Sequence, residues 1–172
     1  MRRKSFQGMG CPIAGALEHV GEWWTLLIMR DVLDGYTRFD ELERNLGIAP
    51  TMLTSRLRTL VEAGLVERAR YSASPPRYEY RPTASGRDLA SVIVALYTWG
   101  AKHTAVRNSQ VTLVDQDSGR EIDPVFVDRH SGRRLSEMNS AFLAGPEADT
   151  FIQTRLDPEL RASRRRRRRD TH

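Results

Sequence analysis

The stretch that decides the fold covers residues 35–87 and reads GYTRFDELERNLGIAPTMLTSRLRTLVEAGLVERARYSASPPRYEYRPTASGR. Apolar residues recur at helical spacing in two runs, residues 38–46 and residues 50–63. The three-residue turn Gly47-Ile48-Ala49 separates these runs. Two helices joined by so short a turn are typical of a helix-turn-helix.

A β-hairpin is predicted directly after the second helix. Its arms are the extended runs 65–71 and 77–82, and the five residues between them include two serines and two prolines, which favour turns. Helix, turn, helix and hairpin in this order predict a winged helix-turn-helix, a mainly α fold with a β-wing (α+β). This architecture in turn predicts binding to duplex DNA.

The second helix of the pair has one apolar side and one small polar side. At about 100° per residue, its leucines share the inner side, and Thr51, Ser55 and Arg58 fall nearly opposite. Small side chains let a helix approach the major groove, and arginine can bind guanine edges or a phosphate. A solvated helix shows the same pattern, but the hairpin behind this one favours DNA. The candidate DNA contacts are Arg38, Pro50, Thr51, Thr54, Ser55, Arg58 and Arg77.

A longer helix is predicted over residues 84–106. Its broad apolar band includes Leu89, Ile93, Leu96 and Trp99. Such a band needs a large partner surface. Because DNA-reading helices work in pairs on half-sites roughly 34 Å apart, we expect that surface to come from a second copy of the chain. The predicted assembly is a homodimer formed by this helix and the first helix of the chain.

Composition is typical of a small protein with one main domain and appendages. Of its 172 residues, 40% are hydrophobic, and the formal net charge is +5. Residues 157–172 hold seven arginines against three acidic residues, a surplus of four, so residues 1–156 carry only the remaining +1. DNA binding must therefore depend on a local patch of charge. The uncharged run 89–101 has thirteen residues, no uncharged run in the sequence is longer, and this length is too short to cross a bilayer, so we expect a cytoplasmic protein without membrane contact.

The sequence shows no catalytic or cofactor-binding motif. It contains no Gly-x-Gly-x-x-Gly, Walker loop, Gly-x-Ser-x-Gly or His-Glu-x-x-His pattern, and its four histidines are scattered. We therefore predict neither an enzyme nor a bound cofactor. The single cysteine excludes an intrachain disulfide and fits a reducing compartment.

An ordered series of motifs runs through residues 11–103. Its elements are Cys11-Pro12, Gly21-Glu22-Trp23-Trp24-Thr25-Leu26-Leu27-Ile28, Arg38-Phe39-Asp40-Glu41-Leu42, Gly47-Ile48, Leu53-Thr54-x-Arg56-Leu57, Gly64-Leu65-Val66-x-Arg68, Pro75-Pro76-Arg77-Tyr78-Glu79-Tyr80, Thr83-x-x-Gly86 and Trp99-Gly100. This series resembles the HxlR-type branch of the MarR-like winged-helix transcriptional regulators. The resemblance implies a dimeric, one-component bacterial regulator that binds a palindromic operator, and we expect it to act as a repressor.

Two residues depart from the family pattern. Trp23 stands where the family usually has a cation, and one interpretation is that it packs between subunits. Ala49 stands where the family commonly has a serine that caps the next helix. Losing that cap costs about 1 kcal/mol of helix stability, so tertiary packing must hold the helix start.

Residues 111–135 contain two Ser-Gly turns in two extended arms. Some members of the family continue here into a zinc ribbon, and the resemblance places Asp115, Ser118, Asp128 and Ser131 at its four ligand positions. Serine is a poor zinc ligand, so we predict a ribbon without metal. A site rebuilt from Asp115, Asp117, Asp128 and His130 stays open as an alternative.

Three regions are therefore predicted along the chain. Residues 1–106 form the winged-helix and dimerisation domain, residues 107–156 form a small β-ribbon, and residues 157–172 form a disordered basic tail. The tail could bind nucleic acid without sequence preference, which makes a tail-driven nonspecific binder one alternative function. The other interpretation of the tail is a solvated segment with no dedicated role.

Cys11 raises another alternative, a redox or small-molecule sensor that switches through this cysteine or through the dimer interface. It lies just ahead of the first helix, where some members of the family carry a redox-active cysteine. Nearby positive charge lowers the pKa of a thiol, and Arg2, Arg3 and Lys4 are close in sequence. The plainer interpretation is a small buried apolar residue.

Overall fold

The computed structural model describes residues 5–6, 8–104 and 111–169, of which 165–169 are described by their backbone alone. Its contacts divide the chain into two compact units. We call His19–Pro124 the core unit, and we call Met1–Glu18 together with Val125–His172 the terminal unit. This division differs from the predicted boundary at residues 106 and 107, because the two ends of the chain group together.

The core unit contains the predicted order of helix, turn, helix and hairpin. Its elements are α2 (Thr25–Leu33), α3 (Phe39–Leu46), α4 (Pro50–Glu62), β1 (Val66–Ala73), β2 (Pro76–Pro82), α5 (Ala84–Asp88) and α6 (Ala90–His103). Helix α1 (Pro12–Val20) runs across the boundary, and the terminal unit holds a short 3-10 turn (Leu135–Glu137), α7 (Thr150–Leu156) and α8 (Pro158–Arg169). The winged helix-turn-helix is thus confirmed.

Helix α3 has a defined start and end. Arg38 is its extended N-cap residue, and the Arg38 N–H donates to Glu41 Oε2 at 3.0 Å. Gly47 ends the helix in the left-handed region, with φ at 60°, and its N–H donates to Glu43 O at 2.9 Å. Glycine adopts this conformation without steric cost. The turn between α3 and α4 therefore depends on glycine at this position.

Helix α4 begins at Pro50, and Ala49 supplies no side-chain cap. The N–H that proline lacks would have no partner in the first turn of a helix, so proline costs little there. The neighbouring Ile48 is only 4% exposed and belongs to the hydrophobic core. Burial of the turn thus holds the start of α4 where a capping hydroxyl is missing.

The core lies where α2, α3, α4 and the start of β1 meet. Ile28, Met29, Leu42, Leu53, Leu57 and Leu60 are at most 1% exposed. The three leucines of α4 are those that helical periodicity predicts for its inner side. Each fully buried side chain of this size contributes about 1.5–3 kcal/mol, so α4 is held by its inner side while its outer side stays in solvent.

The hairpin is longer than the sequence predicts. Val66 lies opposite Pro82, and the pairing continues to Ala73 opposite Pro76, so only two residues form the turn. The register shifts between Arg70 and Ser72, which leaves Tyr71 outside the regular pairing. The predicted strand ends at residues 71 and 77 were wrong because pairing extends into the Ser- and Pro-rich segment.

The predicted single helix over residues 84–106 is two helices in the structure. Helix α5 ends at Asp88 and α6 begins at Ala90. The helix start is capped by Thr83, whose Oγ1 accepts the Gly86 N–H at 3.1 Å and donates to Gly64 O at 2.6 Å. α6 ends at His103, and Val106 lies outside the described residues. At the junction the Leu89 N–H donates to Gly86 O, three residues back, at 3.2 Å, a 3-10-type bond that hydrophobic periodicity does not predict.

The terminal unit overturns the expectation of a disordered tail for residues 158–169, which form α8. Asp157 Oδ1 accepts the Leu160 N–H at 2.8 Å and so caps the helix, which starts at Pro158. Arginine is also a good helix former. Leu156 of α7, which directly precedes the cap, is 8% exposed. A cap, a proline at the first position and a buried anchor therefore outweigh the repulsion between the arginines.

Among the described residues, none of the helices combines the length and the apolar character that crossing a membrane requires.

Candidate nucleic-acid interface

The outer side of α4 presents the small polar residues that the sequence predicts. Thr51, Thr54 and Arg58 are exposed, and Ser55 is half-buried. Arg58 Nε lies 3.8 Å from Glu62 Oε1, and the two side chains are 72% and 66% exposed. An ion pair this exposed is worth little, so Arg58 can exchange Glu62 for a DNA group at small cost.

Arg38 and Arg77 lie on one cleft between the start of α3 and the hairpin. The cleft has a volume of about 390 Å³, and it is lined by Arg38, Phe39, Asp40, Tyr71, Arg77 and Tyr78. The Arg38 guanidinium carbon lies 5.0 Å from the centroid of the Tyr71 ring, a cation–π contact. Two cations that are 39 positions apart in the sequence are thus brought to the same cleft.

Backbone hydrogen bonds fix the hairpin against α3. The Tyr80 N–H donates to Thr37 O at 2.7 Å, and Arg38 forms an isolated antiparallel bridge with Glu79. The arrangement of α3 and β2 therefore does not depend on side chains alone. Asp40 and Glu41 occupy the first turn of α3, so a phosphate at this cleft would have to be bound by the arginines and not by the helix terminus.

Sequence reasoning missed the residues that hold the outer side of α4 in place. Arg56 Nη2 lies 3.1 Å from Glu22 Oε2, with the side chains 20% and 29% exposed, so this ion pair ties α4 to the segment before α2. Asp31 is 2% exposed and accepts from Arg30 Nε at 2.8 Å and from Asn45 Nδ2 at 2.6 Å, which ties α2 to α3. No local pattern signals either contact, because the partners are far apart in the sequence.

Side-chain contacts within the hairpin stabilise it. The Arg68 guanidinium carbon lies 3.6 Å from the centroid of the Tyr78 ring. Arg70 Nε donates to Ser72 O at 3.0 Å, and its Nη2 donates to Ala73 O at 2.6 Å. These two arginines are occupied within the wing, whereas Arg77 is exposed. Arg77 is therefore the wing cation that is best placed to reach a ligand.

The predicted dimer residues lie on two different sides of the segment formed by α5 and α6. Leu89 and Ile93 are half-buried and pack against the hydrophobic core of their own chain, so their part in an interface with a partner stays a prediction. Leu96 and Trp99 are 49% and 61% exposed, and Val92 on the same helix is 41% exposed. The apolar surface that α6 leaves exposed is thus made by Val92, Leu96 and Trp99, which we call the α6 patch.

Other apolar side chains are exposed near the start of the chain. Ile13 and Leu17, one turn apart on α1, are 58% and 41% exposed. Trp23 is 91% exposed, which agrees with a role outside the chain's own core. Large side chains at such exposure mark interaction surfaces when they cluster.

The core unit also contains a groove of about 960 Å³ between α2 and α6, closed on one side by residues 111–113. Its lining is mainly apolar and includes Leu26, Leu33 and Val94. The Tyr97 hydroxyl donates to Val111 O at 2.9 Å and so holds that side of the groove. A groove of this volume and character is large enough for a small organic molecule.

Cys11 is half-buried in the terminal unit, just before α1. The backbone N–H groups of Ala14 and Ile13 lower the pKa of its thiol, and the charge of Arg155 lowers it further. The predicted cations Arg2, Arg3 and Lys4 lie outside the described residues. The start of a helix is a known environment for reactive cysteines, and here a residue of α7 adds to it.

The two Ser-Gly turns share one hydrogen-bond pattern. Ser118 Oγ donates to Asp115 Oδ2, and Ser131 Oγ donates to Asp128 Oδ2 at 2.6 Å. In each turn the serine hydroxyl, followed by backbone N–H groups, lowers the pKa of the aspartate. The four positions that would hold zinc in the related ribbon are thus hydrogen-bonded in pairs. Among the described residues, no three or more His, Cys, Asp or Glu side chains are grouped so that they could hold a metal ion. This also applies to the alternative zinc site with Asp115, Asp117, Asp128 and His130.

The fold places the chain in the winged helix-turn-helix class of transcriptional regulators, and comparison with known proteins identifies the family. Residues 19–108 match the family model described as HxlR-like helix-turn-helix. The chain belongs to this family, whose members are regulators and not enzymes.

Several known proteins are similar over most of the chain. The uncharacterized HTH-type transcriptional regulator Rv3095 of Mycobacterium tuberculosis is 43% identical over 138 residues, which cover 80% of this chain and 87% of the relative. The solved structure of PA1374, a candidate transcription factor of Pseudomonas aeruginosa, is 49% identical with a TM-score of 0.62, and the match covers 85% of this chain and all of that one. The redox regulator HypR in its oxidized form is 34% identical with a TM-score of 0.52, over 56% of this chain and all of HypR.

Proposed function

We propose that the protein is a homodimeric repressor that binds a palindromic operator in the cytoplasm. The observation that carries this proposal is the outer side of α4, where Thr51, Thr54, Ser55 and Arg58 stand opposite a buried leucine stripe. Helix α4 would lie in the major groove, with its small residues against base edges and Arg58 on a guanine or a phosphate. Pro50, exposed at the helix start, would lie at the end nearest the DNA.

The cleft beside α3 supports this orientation. Arg38 and Arg77 would bind phosphates on the strands that flank the groove, and such contacts set the position of the reading helix without selecting a sequence. The hydrogen bond from the Tyr80 N–H to Thr37 O holds β2 against the residue before α3, which would keep the two cations on the same cleft. Base reading by α4 and phosphate binding by the cleft would thus be coupled through one rigid unit.

The α6 patch supports a dimer. Three large apolar side chains on one helix, each 41–61% exposed, are more stable when a second copy covers them. A two-fold pair of α4 helices reads two half-sites, which is why the operator should be palindromic. Repression follows if the bound dimer occupies promoter DNA that other proteins need.

Selection of bound duplexes from a random pool tests the proposal. The wild type should enrich a palindromic consensus, and Arg58→Ala should weaken binding to it by about 1–3 kcal/mol and relax one base position. Arg120→Ala is a matched control, because Arg120 is an exposed arginine in the turn after Ser118, outside the proposed surface. Enrichment of no consensus by the wild type, or equal losses for both variants, would refute the reading role of α4.

A second candidate function is regulation by oxidation at Cys11. The lowered pKa of its thiol favours the reactive thiolate, and the similarity to the redox regulator HypR supports the same idea. Mild oxidant should then change operator binding reversibly in the wild type and not in Cys11→Ser. If both proteins respond alike, the signal is instead a small molecule, for which the groove between α2 and α6 is the proposed site, or there is no signal.

A further inference from the structure

We propose that Tyr71 is a positioning residue for DNA binding, which holds the Arg38 guanidinium group over the cleft between α3 and the hairpin in the conformer that binds a phosphate. The inference rests on the proposed function, because it requires Arg38 to bind a DNA phosphate. It deepens that function by assigning a role to an aromatic side chain of the wing. All of the residues concerned lie in the core unit.

Tyr71 occupies an irregular position in the hairpin. From Val66 to Arg70 each residue of β1 lies opposite one residue of β2, but the register then shifts, and Ser72 lies opposite Arg77. Tyr71 is therefore an extra residue of β1, with no residue opposite it in β2, and it forms a β-bulge. A bulge bends a strand and redirects a side chain, and bulges are frequent next to functional sites. The Tyr71 side chain is 40% exposed, so packing in the hydrophobic core does not account for a tyrosine at this position.

Side-chain hydrogen bonds hold the backbone of the bulge. Arg70 Nε donates to Ser72 O at 3.0 Å, and Arg70 Nη2 donates to Ala73 O at 2.6 Å. One guanidinium group thus connects the residue before Tyr71 with the two residues after it. Because these bonds lie within the wing, the backbone that carries the Tyr71 ring is ordered before any ligand binds.

The backbone of Arg38 is held as well. The Arg38 N–H donates to Glu41 Oε2 at 3.0 Å, and Arg38 forms an antiparallel bridge with Glu79 of β2. The Tyr80 N–H donates to Thr37 O at 2.7 Å, so the start of α3 is fixed against the hairpin. The Arg38 side chain itself is exposed. A long side chain loses rotamer freedom when a ligand immobilises it, and this loss weakens binding unless the side chain is ordered beforehand.

The Tyr71 ring orders the Arg38 side chain without neutralising its charge. The Arg38 guanidinium carbon lies 5.0 Å from the centroid of the ring, within the range of a cation–π contact. Among the described residues, no carboxylate forms an ion pair with Arg38, whereas Arg58 is paired with Glu62. A carboxylate would compete with phosphate for the N–H donors of the guanidinium group. A ring face leaves those donors free for a bidentate phosphate contact.

The size of the effect follows from the strength of a cation–π contact. At an exposed site such a contact changes an equilibrium constant by about 2- to 5-fold. Loss of the ring lowers the population of the binding conformer and should weaken DNA binding by about this factor. The factor should be the same on every sequence, because phosphate contacts carry no sequence information. The slope of log affinity against log salt should stay unchanged, because the Arg38 charge still reaches the phosphate.

The test is a double-mutant cycle on the full-length protein. Affinity is measured by fluorescence anisotropy at about 50–200 mM KCl, on the selected consensus and on a scrambled duplex. The variants are Tyr71→Leu, Arg38→Ala and the two combined, together with Tyr71→Phe, which keeps the ring and removes the hydroxyl. Tyr78→Leu is the matched control, alone and combined with Arg38→Ala, because the Tyr78 ring lines the same cleft but contacts Arg68. Circular dichroism checks that each variant is folded.

We expect Tyr71→Leu to weaken binding by about 2- to 5-fold on both duplexes when Arg38 is present, and to have no effect when Arg38 is replaced by alanine. Tyr71→Phe should restore the lost affinity, because the ring makes the contact. Arg38→Ala should lower the salt slope by about 0.9, the value for one phosphate contact, and Tyr71→Leu should not. The factors for Tyr78→Leu and Arg38→Ala should multiply.

Four results would overturn the proposal. They are an equal effect of Tyr71→Leu with and without Arg38, a Tyr71→Phe variant as weak as Tyr71→Leu, a salt slope lowered as far by Tyr71→Leu as by Arg38→Ala, and a coupling of Tyr78 to Arg38 as strong as that of Tyr71. The first would mean that Tyr71 acts on the wing as a whole, and the second that its hydroxyl is the group that matters.

The outcomes separate this inference from the proposed function. If α4 does not read DNA, the wild type shows no preference for the consensus and Arg58→Ala has no effect, whatever Tyr71 does. If only the role of Tyr71 is wrong, the preference and the Arg58 effect persist and Arg38→Ala still weakens binding, while the substitutions of Tyr71 and Arg38 act independently.

Discussion

Gly86 is a position where the addition of one methyl group should disturb the fold strongly. An ideal Cβ at Gly86 would lie 2.0 Å from Leu65 O and 3.3 Å from Met29 Cε, whereas real Cβ contacts essentially never fall under 3.0 Å. Gly86→Ala therefore requires the start of α5 and the backbone at Leu65 to separate by about 1 Å, the difference between 2.0 and 3.0 Å. That separation pulls apart the end of α4 and the helices that carry the α6 patch.

The magnitude follows from the contacts at this junction. Overpacking of this kind costs about 1–3 kcal/mol. Leu65 O also accepts the Thr83 N–H at 3.1 Å, and Thr83 caps α5, so the shift weakens a cap worth about 1 kcal/mol. Alanine is about 1 kcal/mol better than glycine within a helix. The net loss is about 1–3 kcal/mol, which lowers the Tm of a chain of this length by roughly 2–12 °C.

Thermal and urea unfolding followed by circular dichroism measure this loss. Gly100→Ala is the matched control, because Gly100 is in α6 and an ideal Cβ there meets no atom within 4 Å. The control should be unchanged or more stable by up to about 1 kcal/mol. The reasoning fails if Gly86→Ala is as stable as the wild type, or if both variants shift stability in the same direction.

Four further predictions concern the α6 patch, Cys11 and the two Ser-Gly turns. Leu96→Glu should give a monomer in sedimentation and abolish specific DNA binding, since it places a charge in the α6 patch; a wild type that is already monomeric at micromolar concentration would contradict the dimer. Arg155→Ala should raise the pKa of the Cys11 thiol toward its ordinary value, since it removes a cation that favours the thiolate, and the pH profile of alkylation should shift upward; no shift would exclude the role of Arg155. The hydrogen bonds from Ser131 lower the pKa of the Asp128 carboxyl, so their contribution to stability is fully present above the ordinary carboxyl pKa of about 3.9. It is lost as the pH falls through the lower pKa of the folded protein. The Ser131 amide resonance should therefore titrate at a pH below about 3.9. The purified protein should also hold well under one zinc per chain, and one tightly bound zinc would contradict the assignment of these turns.

The proposed reading surface on α4 and the proposed dimer surface on α6 can each be tested by substitutions that leave the hydrophobic core unchanged. Arg58 and Leu96 lie on different helices of the core unit, and neither belongs to the buried cluster. Substitution of either should therefore leave the fold intact. The residues between them, including Leu65 and Gly86, are buried, and substitutions there should affect both activities through stability.

Local chemistry by itself determined the helix-turn-helix. The leucine spacing of α4, the glycine that ends α3 and the proline that begins α4 are each readable within a few residues, because helix periodicity and caps act over one or two turns. The polar outer side of α4 follows from the same periodicity. The hairpin was predicted in kind, but its ends were not, since strand pairing depends on the partner strand.

Only the tertiary structure decided the features that join distant residues. The close approach of Gly86 to Leu65 O comes from the packing of α5 on the segment that follows α4, and the cleft with Arg38 and Arg77 comes from the packing of the hairpin on α3. The thiol of Cys11 is influenced by Arg155, 144 positions away in the sequence. The contact of Leu89 and Ile93 with the chain's own core could likewise not be predicted from the sequence. An apolar stripe has the same sequence pattern whether it packs on the core of its own chain or on a partner. The physical reason is common to all four: periodicity shows which side of an element avoids water, and only the packed chain shows what covers it.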